Sequence, residues 1–422
     1  MADRPPCVFL IQDLLACYNS LVVDEEILSA ILAGRLADLA GQGDLPAGRW
    51  FDIAKLAGRL GVAPLLYRQL IQRAGAANLP AEVAADLRGA YYQCHATNAH
   101  LFHQLSSVLA DFEAAGIPVI LLKGAYLADA IYRDAGLRPM GDLDILVSRE
   151  DVLRGVEVLQ MAGFAPYQDF APEVEFSLAK HMPPFQKSGV IIELHWNIVA
   201  PESPVKVDVS GLWARAERFE TEQVRGLALC REDLLLHLCI HTAQHHFNEQ
   251  MRTLCDIREV TALHRGSLDW DGILTRAIDW HAARGVYLAL RLAADLLDAP
   301  VPAEMLKHLQ PADYSDEVLD WARARIFQET PPLSDNFIAL MQGSKQKGRW
   351  RAFWEAMLPA PETMSRLYGV PQGLWRVYLK YPIHWWDRIR RYGGRAEMLL
   401  RGDPRLSGEA AAQQRLAEWL DR

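Results

Sequence analysis

Apolar side chains recur at spacings of three and four through Glu25 to Leu39 and again through Phe51 to Leu60, which predicts amphipathic helices over much of residues 1 to about 95. Gly61-Val62-Ala63-Pro64 interrupts that pattern and Leu65 to Arg73 resumes it. A longer helical stretch, Ala96 to Ala115, stops at Gly116. The period then changes. Ile117-Pro118-Val119-Ile120-Leu121-Leu122 is a short continuous apolar run, as buried strands show, and Lys123-Gly124 breaks it before a helical stretch from Ala125 to Arg133. A second strand carries Asp142-Leu143-Asp144 and the apolar run after it, and Arg149 to Ala162 predicts a helix closed by Gly163. Val190-Ile191-Ile192-Glu193-Leu194-His195-Trp196 is another apolar strand, and the Lys187-Ser188-Gly189 turn before it predicts a hairpin.

From about residue 226 the pattern is almost wholly helical. Its first helix, Leu234 to His246, opens on Glu232-Asp233, two acids placed favourably against the helix dipole. Strand, helix, strand, helix and hairpin in that order predict a small mixed sheet with helices on one side. The expected fold class is therefore α+β: an N-terminal helical region over 1–95, a mixed-sheet catalytic core over 96–225 and a C-terminal helical domain over 226–422. A length of 422 residues suits two or three such domains.

Composition narrows the function classes. With 50% hydrophobic residues, core burial is not limiting, and a formal net charge of −9 argues against a general nucleic-acid binder. The six cysteines, Cys7, Cys17, Cys94, Cys230, Cys239 and Cys255, form no CxxC pair and indicate neither a zinc site nor a disulfide scaffold. Reduced thiols, no signal peptide and no apolar run long enough to span a bilayer make the expected location cytoplasmic.

The chemistry concentrates in the strands. Side chains alternate across a strand, so Asp142 and Asp144 point one way while Leu143 and Ile145 point the other. Two carboxylates that close call for a cation. Magnesium suits them, with manganese as the substitute, because a hard ion accepts carboxylate oxygens and commonly holds substrate phosphates as well. Glu193 interrupts an apolar strand and is expected at the same site, since buried acids are rare unless paired or metal-bound. Asp142, Asp144 and Glu193 are thus the expected catalytic and metal-binding residues, in an arrangement suited to phosphoryl or nucleotidyl transfer. Lys123 and Gly124, at a strand-to-helix turn, offer a mobile charge and open backbone N–H groups to phosphates. Arg138, four residues before Asp142, is expected either to grip phosphate or acceptor or to form a salt bridge with one of the acids. His195 belongs on the Glu193 face, either orienting that carboxylate or packed in the core.

At these residues the chain resembles the DNA polymerase beta superfamily of nucleotidyltransferases, and more specifically its large bacterial branch of uncharacterised members. Gly124, the Asp142–Asp144 pair and Glu193 match the superfamily's turn, its D-x-D and its third acid. The Leu122-Lys123-Gly124 turn, Arg138 and Glu193-Leu194-His195-Trp196 match the branch. Ala125 departs from the serine usual in the superfamily, and the gap from Gly124 to Asp142 is longer than is common there. The resemblance implies a nucleoside triphosphate donor; the acceptor stays open between a small molecule, a peptide or protein side chain and an RNA end, with RNA disfavoured by the acidic charge balance. The competing expectation is a catalytically weak relative that binds nucleotide as a regulatory or scaffold protein.

Two further patterns stand outside the core. His237, His241 and His245 share one helix face at zinc-ligand spacing, but without an HExxH pattern a packed or substrate-facing stripe is the default. Asp256 lies in the helical region that also resembles the branch. A basic and aromatic run includes Lys345, Lys347, Arg349, Trp350 and Arg351, then Trp375, Arg376, Trp385, Trp386, Arg388, Arg390, Arg391 and Arg395. It is either core aromatics with solvated arginines or a contact surface for a membrane or protein partner.

Overall fold

A computed structural model describes residues 23–35, 45–73, 79–221, 223–248, 251–328, 375–386 and 404–422, with isolated positions 358, 361 and 364. Among the described residues seven strands form one sheet: β1 (Ile120–Leu121), β2 (Leu143–Leu146), β3 (Ala165–Pro166), β4 (Phe185–Lys187), β5 (Val190–His195), β6 (Glu217–Glu220) and β7 (Arg225–Ala228). Their order is β3-β4-β5-β2-β1-β7-β6. Strand β2 runs parallel to β5 and antiparallel to β1, and β1 runs parallel to β7. The sheet is mixed and the fold is α+β, with helices before and after it along the chain.

The hairpin before β5 forms as its turn residues dictate. Ser188 and Gly189 both take positive φ, 50° and 80°, the combination that matches the twist of two antiparallel strands joined by a two-residue turn. The second hairpin, β6 and β7, was not legible. Its first strand, Glu-Arg-Phe-Glu, is largely exposed and charged, and its second, Arg-Gly-Leu-Ala, is too short to show an apolar alternation.

Helices cover both faces of the sheet, not one. Leu143, Ile145, Ile192 and Leu194 pack with Leu101, Leu105 and Phe112 of a 34-residue helix (Ala81–Ala114) and with Val152, Val156 and Leu159 of Val152–Met161. That long helix begins well before the expected Ala96. On the other face, Ile120, Leu122 and Leu146 join a core containing Leu235 and Leu238 of Arg231–Gln244, Leu254 and Ile257 of Met251–Leu263, and Leu288 of Ala283–Leu297. The same core takes in Ile27, Leu28, Ile31, Ile53 and Leu66 from the N-terminal side, and Leu416 and Trp419 near the end of the chain. The alternation that sends Leu143 and Ile145 into the first core leaves Asp144 facing the second, where the C-terminal helices enclose it.

Cys94, Cys230, Cys239 and Cys255 are unpaired and buried. Among the described residues no helix is long and apolar enough to cross a membrane. Lys345, Lys347, Arg349, Trp350, Arg351, Arg388, Arg390, Arg391 and Arg395 lie outside the described residues. Trp375, Tyr378, Trp385 and Trp386 are described, and all four are exposed, so these aromatics do not serve as core.

Candidate functional site

Strand pairing builds the acidic centre. Asp144 and Glu193 are partners across β2 and β5, and Leu146 pairs with His195 two residues along. His195 Nε2 lies 2.9 Å from Asp144 Oδ1 and 3.3 Å from Glu193 Oε2, so one imidazole N–H is shared between two carboxylates. One ligand atom from each of Asp144, Glu193 and His195 falls within 4.8 Å of the others, a spacing able to hold a metal ion. Asp142 stands just ahead of β2, half-buried, and lines the same cavity without joining that close group.

The turn after β1 is docked onto the acids by its backbone. Leu122 N donates to Asp144 O at 3.1 Å, and the next residue, Lys123, puts Nζ 3.0 Å from Asp144 Oδ2. Lys123 adopts φ of 24°, a strained value for a residue with a Cβ, of the kind that persists where surrounding structure enforces it. Gly124 is needed for closeness. A Cβ there would lie 2.9 Å from Arg138 Nη1 and 3.4 Å from Met140 Sδ.

Arg138 forms its salt bridge with a residue far along the chain. Its Nη2 donates to Asp256 Oδ2 at 2.9 Å and its Nε reaches Asp256 Oδ1 at 3.3 Å, while Tyr132 Oη donates to the same carboxylate at 2.9 Å. The pair is almost fully buried. Asn98 Nδ2 fixes the backbone around it by donating to Ala135 O and Arg138 O at 2.6 and 2.8 Å. The contact is thus to Asp256 and not to the strand acids, and Arg138 still lines the cavity.

A cavity of about 390 Å³ connects these groups. Lys123, Gly124, Arg138, Asp142, Asp144, Glu193 and His195 all line it, and the facing wall comes from His241, His245, Arg252 and Asp256 of the helical region. Four residues in this wall and floor carried no readable sequence signal: Lys180, His181, Arg252 and Thr253. Lys180 and His181 arrive because the segment before β4 runs along β5, with Trp196 N donating to Lys180 O and Met182 N to Leu194 O. Arg252 donates from Nη1 to Pro139 O at 3.3 Å, while its buried Nε finds no acceptor.

Charge in this cavity is finely divided. Burial would raise the Asp144 carboxyl, but the Lys123 ammonium and the His195 hydrogen bond hold it well below the usual range. Asp142 is pushed up, by burial first and then by the charge of Asp144. Glu193 is drawn down against burial by His195 and His181, and His195 is drawn up against burial by its hydrogen bonds to Asp144 and Glu193. Lys180 is lowered to about 8 by burial and by Lys123. His237 and His241 fall well below the normal histidine value, and His245 falls to about 4, with burial the main cause in each. The histidine stripe is therefore a neutral wall. Ring centroids of His241 and His245 are 4.5 Å apart, and the buried Nδ1 atoms of His237 and His241 have no hydrogen-bond partner. Among the described residues this stripe forms no candidate metal cluster.

The mixed sheet thus carries paired carboxylates on adjoining parallel strands, with a lysine–glycine turn beside them and helices over them. The chain belongs to the family described as uncharacterised nucleotidyltransferase, whose model matches residues 46–298. That span contains every residue of the cavity just described. No curated protein and no solved structure matches the chain.

Proposed function

We propose that the chain transfers a nucleoside monophosphate from a nucleoside triphosphate to an acceptor hydroxyl, at the cavity floored by Asp144 and Glu193. The observation that carries this reading is the register pairing of those two acids beside Lys123, inside a cavity lined by further cations. The acceptor oxygen bonds the α-phosphorus as the bond from that phosphorus to the pyrophosphate oxygen breaks. The electron pair leaves with pyrophosphate, and Glu193 takes the hydroxyl proton.

The donor set fits a divalent cation. Asp144 and Glu193, with Asp142 beside them, would hold magnesium, or manganese in its place, through carboxylate oxygens. His195 donates its Nε2–H to the two carboxylates and so aligns them. A bound ion would neutralise charge on the triphosphate and favour departure of pyrophosphate. Lys123 and the Gly124 backbone would hold the β and γ phosphates. Arg138, anchored on Asp256 through Nε and Nη2, turns Nη1 toward Gly124 and would join them. Arg252 is the other phosphate ligand in this reading, because a buried guanidinium with an open Nε is costly until an anion completes it. The buried free thiols fit a reducing compartment, the cytoplasm.

The test is calorimetric titration of the four ribonucleoside triphosphates, with and without magnesium, on wild type and on Asp142→Asn/Asp144→Asn. Magnesium-dependent binding of a triphosphate that the double variant loses supports the site and names the donor. A double variant that keeps full nucleotidyl transfer overturns it. A second reading, a nucleotide-binding regulatory or scaffold protein, rests on Ala125, which stands where the superfamily usually has serine and whose methyl is buried in the core under the sheet. It predicts triphosphate binding with no release of pyrophosphate in the presence of any acceptor.

A further inference from the structure

A second cavity, of about 480 Å³, lies directly beside the acidic one. The two share Lys180, His181 and His245 as a common partition. His181 reaches from that partition toward the acids, with Nε2 3.7 Å from Glu193 Oε2 and Nδ1 2.7 Å from Met182 O. The carbonyl fixes the proton on Nδ1, so Nε2 faces the acidic side as an acceptor.

Past the partition the character of the wall changes. Leu178, Pro204, Val205, Ile240 and Leu420 give it an apolar body. Among the described residues its sole ammonium, Lys180, donates to Ile198 O at 3.3 Å and Gln244 Oε1 at 3.2 Å, which leaves one of its three N–H groups for a ligand such as a hydroxyl oxygen. Asp421 adds a negative charge at the far end. A phosphate or carboxylate acceptor would find no guanidinium and a single remaining N–H of Lys180 among these lining residues, too little to balance its charge, and would meet that acid. Two lining residues other than glycine, His246 and His281, hold positive φ of 47° and 56°, backbone strain of the kind that gathers at ligand sites. The volume falls within the range of small-molecule pockets, about 300–1,000 Å³.

We infer that this cavity binds the acceptor, and that the acceptor is an uncharged small molecule with an apolar body and a hydroxyl group, which it passes across the His181 partition to the α-phosphorus. The inference rests on the transferase reading for the role of the ligand, but the binding itself does not need that reading to hold.

Benzyl alcohol is a suitable probe, observed by saturation-transfer NMR on the full chain. A saturable signal is expected on wild type, retained in Asp142→Asn/Asp144→Asn and lost in Ser203→Phe and in Ala200→Phe, two loop substitutions that fill the cavity from its lining. Adding magnesium and ATP should leave the signal in place. Absence of a saturable signal, or a signal untouched by both filling variants, overturns the proposal. Displacement of benzyl alcohol by magnesium-ATP would make the cavity the nucleoside's and overturn the acceptor assignment. Failure of the transferase reading would show separately, as benzyl alcohol binding without triphosphate binding.

Discussion

Asp144 and Glu193 face each other across parallel strands, and His195 holds both carboxylates through one nitrogen. Strands in a sheet lie about 4.8 Å apart, so their pairing brings two like charges as close as a sheet permits. Their opposition is made tolerable by two cationic or proton-donating neighbours, Lys123 on one side and His195 on the other. The arrangement is complete without a substrate and is therefore preorganised.

Glu193→Gln keeps the side chain's shape and its place on β5 but removes the base. The expected loss in kcat is about 10²–10⁴-fold, read as pyrophosphate release, with less change in triphosphate affinity; a loss under about tenfold would remove Glu193 from the proton transfer.

Lys123 carries both a charge and a strained backbone, and two substitutions separate them. Lys123→Gly and Lys123→Ala should weaken triphosphate binding equally, because each deletes the ammonium. In urea unfolding the glycine variant should be the more stable of the two by about 1 kcal/mol, since only alanine retains the Cβ cost at φ of 24°. Equal stability of the two variants would show that the strain has no energetic weight.

The Arg138–Asp256 pair should behave as a buried ion pair does. Asp256→Leu alone should destabilise by about 3–5 kcal/mol by leaving a buried guanidinium uncompensated, and Arg138→Met/Asp256→Leu should be less destabilised than that single variant. The measurement is a double-mutant cycle in urea. Additive losses would mean that the two groups do not depend on each other.

Acid should destabilise the ligand-free protein before its strand carboxylates protonate. His237, His241 and His245 have folded values depressed below 6.5, so the unfolded chain binds more protons than the folded one as pH falls below that value. Their contribution is present above pH 6.5 and is lost on the way down, for His245 through about pH 4. His195 has the opposite sign, its value being raised, and contributes stability below pH 6.5 that fades as pH rises. His181 and His264 are depressed as well, while Glu25, pushed up to about 7 by burial, acts with His195; five depressed histidines against these two raised groups predict a falling Tm between pH 7 and pH 5, with a flatter profile in His241→Gln. A Tm that rises over that interval would contradict the neutral histidine wall.

Asp144 and Glu193 were readable because strand alternation is a local rule: Leu143-Asp144-Ile145 and Ile192-Glu193-Leu194 each declare a face without reference to the rest of the chain, whereas Asp142, expected on the same strand face, stands just ahead of β2 and outside the close group. The turn at Ser188-Gly189 was readable for the same reason. The far wall was not. Arg252 and Lys180 look like ordinary surface cations in sequence, and only the packing of Met251–Leu263 and the 180–182 segment against the sheet brings them to the acids. Arg138 announced a charge partner, yet nothing local could name Asp256, 118 residues away. The sheet's extent was underestimated because β6 lies at the edge, where solvent selects the residues, and β7 is a four-residue strand with only Leu227 and Ala228 turned to the core. Helices on both faces followed from Ile120, Leu122 and Leu146 packing into the second core, which periodicity alone does not reveal.

The reach from Arg138 to Asp256 also orders events during synthesis. A nascent chain that has left the ribosome only as far as β7 already carries Asp142, Asp144 and Glu193, but neither Asp256 nor the histidine wall. Until the next two helices emerge, Arg138 has no counter-charge and the acids have no roof. The cavity therefore closes only after the sheet is made, so a product ending at β7 would display Asp144 and Glu193 to solvent without Arg252, Asp256 or the histidines that face them.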